Sequence, residues 1–125
     1  MKKYSQISVG ELLDKISILE IKSERIKDET KLSHVSRELA ILSADASALE
    51  SYAEWVSKIK KVNEKLWEIE DDIRAKEKSK EFDEEFVRLA RAVYVTNDER
   101  FDVKDEINTF YGSDIKEQKS YEDYQ

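Results

Sequence analysis

Along this 125-residue chain the residues best suited to chemistry fall in rows at helical spacing. Asn63, Trp67, Glu70 and Arg74 recur every three or four positions, as do Tyr94, Asn97, Phe101, Lys104 and Asn108, with Arg100 beside them. A third row holds Lys15, Lys22 and Arg25. Each borders an apolar stripe, because residues three and four apart share one face of a helix. If the three margins face one another, they enclose a polar cleft with aromatic walls. Such a cleft suits a small phosphorylated ligand, a nucleotide or nucleotide-sugar. Its planar ring would lie on Trp67 or Tyr94, its phosphate on Lys22, Arg25, Arg100 and Lys104, and Asn63, Asn97 and Asn108 would orient it. The expected function is that of a non-catalytic binding module. Two other readings stay open. The same groups can form an internal network, Glu70 or Asp71 pairing with Arg100 or Lys104, in a structural or protein-partner module. Lys15, Lys22 and Arg25 can equally lay their stems over an apolar margin with no ligand involved.

An enzymatic alternative rests on carboxylates. Glu81-x-x-Glu84 and Glu99-x-x-Asp102 match the paired acidic motifs of all-helical, Mg²⁺-dependent nucleotide pyrophosphatases, and Glu68, Asp71 and Asp72 cluster at a spacing that could hold Mg²⁺ through oxygen. On one continuous helix the two motifs lie roughly 27 Å apart, so they converge only if the chain reverses near Thr96. Mg²⁺ is expected under this alternative alone, and no cofactor otherwise. The chain has no cysteine, one histidine (His34, read as exposed) and no glycine-rich phosphate loop, which removes thiolate zinc sites and the usual nucleophilic constellations.

The elements that must position these rows are helices. There is no proline, there are two glycines and 41% of the residues are charged, so the chain reads as all-α, one domain spanning 1–125. The apolar phases predict an antiparallel bundle of four helices near 9–28, 33–50, 54–78 and 83–111. Ser8-Val9-Gly10-Glu11 is a capping box opening the first. Asp28-Glu29-Thr30-Lys31 reads as a turn. Leu32, Val35, Leu39, Leu42, Ala46, Leu49, Ala53 and Val56 form one seam; Ile59, Val62, Leu66, Ile69 and Ile73 form the next, offset from it, which predicts a break near 49–55. Phe86, Leu89, Val93, Val103 and Ile107 mark the last helix, with Thr96 and Arg100 in core phase and Gly112 as its stop. The polar tail, 113–125, drapes over the bundle or stays partly disordered.

Apolar residues surround the first helix on more than one face, so a homo-oligomer, a dimer through that helix, is expected. The formal charge of −7 and pI near 4.9 disfavour nucleic acid and anionic membrane surfaces as partners. No apolar run has signal or membrane-spanning character, and a cytoplasmic location is expected.

The blocks SVGELLDKISIL (8–19), VNEKLWEIEDDIR (62–74) and TNDER (96–100), with Gly112-Ser113, resemble those of a family of small, uncharacterised bacterial and phage proteins, over nearly the whole chain. The family has no established activity, so the resemblance assigns no functional residue. Some members lie near genes for surface-polysaccharide glycosyltransferases, which points toward sugar nucleotides; viral members would suit a module that sequesters a host nucleotide.

Overall fold

In the computed structural model, which describes residues 1–124, four α-helices follow in order: α1 Val9–Arg25, α2 Glu29–Ala46, α3 Tyr52–Lys78 and α4 Glu84–Tyr111. Local chemistry explains each boundary. The Ser8 hydroxyl accepts from the Glu11 amide at 3.1 Å and starts α1, as its capping box predicts. Because Ser8 is itself buried, Ser8→Ala is expected to cost about 1 kcal/mol. A lower urea midpoint at unchanged slope would register it; an unchanged midpoint would show the cap to be idle.

The stretch predicted as a turn after α1 is instead the start of α2. Asp28 accepts from the Lys31 amide at 2.9 Å, and Glu29 sits in the first turn where the helix dipole favours an acid. Only residues 26–28 connect the two helices, so α1 stops at Arg25 and not at 28. The expected break before α3 is present, spanning 47–51, with Ser51 in the left-handed region at φ 61°. After α3 the chain reverses through Lys80, at φ 56°, while the amides of Lys80 and Glu81 return to the carbonyls of Glu77 and Lys76. Gly112 ends α4 in the same manner, its amide and that of Ser113 returning to Thr109 and Asn108.

Helices adjacent in sequence run antiparallel, and α1 packs against all three others. Its Leu13, Ile16, Leu19 and Ile21 are buried within one chain. Of the residues that make up the apolar excess on α1, Leu13 and Ile21 are buried in the chain, while Ile18 is half-buried. The core joins Leu13, Ile16, Ala46, Val56, Ile59, Val103 and Ile107. With 17 residues, α1 is about 26 Å long, whereas α3 and α4, with 27 and 28, reach about 40 Å. Both therefore project past Arg25, the last residue of α1, which pairs with Glu68 at 2.5 Å. Beyond that pair the α3 stripe has lost α1 as a neighbour, and Ile69 and Ile73 are only half-buried. No helix among the described residues is long and apolar enough to cross a membrane.

Candidate functional site

On α1, Gly10, Asp14, Ser17 and Ile21 recur at steps of four, three and four, and all four are buried. They form the face turned to α3 and α4. Asp14 has no exposed surface, so its carboxylate must be bonded. Asn63 of α3 donates to Asp14 Oδ1 and to Ser17 Oγ, each at 2.8 Å. Arg100 of α4 meets the carboxylate with two parallel bonds, Nε to Oδ1 at 3.0 Å and Nη2 to Oδ2 at 2.5 Å. Lys104, one turn on, is buried and reaches Glu11 at 2.9 Å, Glu117 of the tail at 3.0 Å and Asp14 at 4.0 Å.

The Asp14 hydrogen bonds raise the Arg100 pKa above its ordinary value. For Lys104, burial pulls the pKa down, but the bonds to Glu11 and Glu117 outweigh it and the net direction is upward. Both side chains therefore stay cationic near neutrality. Thr96 lies one turn before Arg100, and its hydroxyl is the one buried side-chain polar atom without a hydrogen-bond partner among the described residues.

Two clefts flank Arg100. One, of about 420 Å³, lies among α1, α3 and α4, with an apolar floor of Ile18, Ile21 and Leu66, a wall of Trp67 and a polar rim that includes Asn63, Glu70, Asp71 and Arg74. The Arg25 guanidinium sits 5.8 Å from the Trp67 ring centroid. The other cleft, of about 470 Å³, opens between α4 and the tail; Tyr94, Asn97, Asp98, Phe101 and Lys104 line it from the helix, Glu117, Lys119 and Tyr121 from the tail. The tail has no regular secondary structure, yet side chains pin it. Lys119 donates to the Asn97 carbonyl and to Asp98, each at 3.3 Å, and the Tyr124 hydroxyl donates to Asp98 at 2.6 Å. Those bonds, the one from Tyr124 foremost, hold the Asp98 carboxyl below its usual range. The tail thus drapes through residue 124; Gln125 lies outside the described residues.

Eight of the expected site residues line these clefts: Asn63, Trp67, Glu70, Arg74 and Arg100 the first, Tyr94, Asn97, Arg100 and Lys104 the second, with Arg100 in both. Arg25 joins through Trp67. Lys15 is exposed and Lys22 half-buried, and neither lines either cleft. Asn108 is committed elsewhere, accepting from the Gly10 amide at 2.7 Å. The internal pairing differs from the one expected: Glu70 bonds to Arg74 on its own helix at 3.2 Å, and Arg100 and Lys104 take Asp14, Glu11 and Glu117 instead of Glu70 or Asp71. Asp14, Ser17, Glu11 and Glu117 were not singled out as site residues. The Gly10–Asp14–Ser17–Ile21 stripe was a legible signal for the first two; nothing in the tail's pattern marks Glu117.

The chain does not reverse at Thr96, since α4 runs unbroken from Glu84 to Tyr111. Glu84 and Glu99 consequently lie about 22 Å apart along it, while Glu81 bonds to Lys76 and Glu99 to Lys65. Glu81, Glu84, Glu99 and Asp102 do not meet. No group of three or more acidic or histidine side chains that could hold a metal, the Glu68, Asp71 and Asp72 cluster included, exists among the described residues.

No curated protein and no solved structure matches the chain. A family model does, over residues 1–124, the length that includes α1, the α4 network and the draped tail, and by it the chain belongs to a family of unknown function (DUF6165).

Proposed function

We propose that this chain is a non-catalytic binding module for a small phosphorylated ligand, a nucleotide or nucleotide-sugar, held at the outer edge of Arg100. The observation that carries the proposal is the commitment of that guanidinium. Asp14 takes the Nε and Nη2 side, through two of the five N–H groups. The remaining three bond to nothing among the described residues, and the side chain is 28% exposed where the two clefts meet. An arginine fixed from behind by a buried acid, with its other edge free, is preorganised to take an oxyanion with two hydrogen bonds. The apolar floor beside Trp67 would receive the ring. In the bacterial or phage setting that the resemblance implies, such a module would sequester its ligand.

A structural or protein-partner role is the second reading, favoured by the internal bonds of Asn63, Lys104 and Asn108. A thermal-shift screen of nucleotides and nucleotide-sugars separates the two. A ligand bound only by the folded state adds about 2.7 kcal/mol of apparent stability at a hundredfold excess over Kd. Arg100→Lys keeps a cation for Asp14 but removes the fork, so it should abolish the shift in a folded protein, and Trp67→Ala should weaken it. A shift that survives both substitutions, or no hit in the screen, would overturn the proposal.

A further inference from the structure

We infer that the phosphate subsite is Lys104 together with the free edge of Arg100, and that the tail residue Glu117 holds the place of the ligand's oxyanion when the site is empty. The inference rests on the binding function proposed above and assigns its phosphate contact and its control. Lys104 is 6% exposed, and one of its two closest partners, Glu11, comes from the packed body of α1. The other, Glu117 at 3.0 Å, comes from a segment without helix or strand, and it lines the same cleft as Arg100. A carboxylate and a phosphate ask for the same donors, so a site that accepts the Glu117 carboxylate is chemically a site for a phosphate oxygen.

The exchange is feasible because side chains, not a backbone ladder, hold the tail. Residues 114–122 make no backbone–backbone hydrogen bond among the described residues. Their attachments include Lys119 to Asn97 and Asp98, both partly exposed. Segments with few buried contacts open at small free-energy cost. Lys104 would not be stranded when Glu117 leaves, since Glu11 stays and the incoming phosphate replaces the lost carboxylate with greater charge. Departure of the tail also opens the cleft wall made by Lys119 and Tyr121, giving the ligand its entrance. Binding and tail release are then one equilibrium, in which every interaction that holds the tail down weakens the ligand.

Calorimetric titration of the full chain with inorganic pyrophosphate tests this. Glu117→Gln removes the competing charge and leaves the packed helices untouched; it should tighten pyrophosphate by about tenfold. Glu122→Gln, which removes a charge from the same tail away from Lys104, should change little. At saturation the amide resonances of Lys119 and Tyr121 should move to random-coil positions. Unchanged or weaker binding in Glu117→Gln, or a tail that stays docked at saturation, overturns the strap even if nucleotides bind through Arg100. Pyrophosphate that binds neither protein while nucleotides do bind also overturns it, by placing the phosphate away from Lys104. If nucleotides fail as well, the binding function falls with it.

Discussion

Asp14→Ala is expected to remove about 3–5 kcal/mol of folding stability, the range for breaking a buried ion pair from one side. The side chain that would vanish is fully buried and is shared by Asn63, Arg100 and, at longer range, Lys104. What costs is less the lost contact than the cation left behind in a desolvated place. Asp14→Leu with Arg100→Met, which removes both charges, should therefore recover a good part of the loss, though Asn63 Nδ2 would still lack one acceptor. Urea denaturation of the three proteins decides it. A single substitution that leaves the midpoint in place would mean that the network does not hold the helices together.

Gly10→Ala should destabilise by about 1–3 kcal/mol, against the grain of helix propensity. Gly10 lies inside α1, where alanine would ordinarily be better by about 0.5–1 kcal/mol. Space decides the sign. An added Cβ would stand 2.6 Å from the Lys104 carbonyl oxygen and 2.9 Å from Asn108 Oδ1. The first is backbone of α4 and cannot rotate away, so the two helices must part. The bond from the Gly10 amide to Asn108 would stretch with them. Because the displaced carbonyl belongs to Lys104, ligand affinity should fall along with the urea midpoint. A variant as stable as the parent would show that α4 yields there freely.

Much of the fold was legible because it depends on local rules. Ser8 and Gly112 are capping chemistry, and the change of apolar phase near Tyr52 announced a break that the Ser51 backbone supplies. Asp28 was misread because a cap and a turn favour the same residue types, and only the helix that follows distinguishes them. The candidate site was half legible. Helical period placed Asn63, Trp67 and Asn97 on margins that do border clefts, and Arg100, in core phase, beside them. Period says which face a residue occupies, but not which residue it meets on another helix, so the internal pairing expected for Arg100 or Lys104 was with Glu70 or Asp71, when their partners are Asp14, Glu11 and Glu117. The tail has no period to read. The approach of Glu117 to Lys104 follows from tertiary placement alone.

The spacing of the network along the chain has a kinetic consequence. Asn63 and Asp14 are 49 residues apart, Arg100 and Asp14 are 86 apart, and Gly10 and Asn108 are 98 apart. By contrast, the α1–α2 and α3–α4 hairpins each close through a short turn and can form early and separately. Closure of the large loop that brings α1 onto α4 carries the greater entropic cost and comes only when both hairpins are available to reward it. Until then Arg100 has no carboxylate behind it and neither cleft has its walls. During folding, competence to bind should therefore emerge with the final docking of the two hairpins, later than most of the helix content.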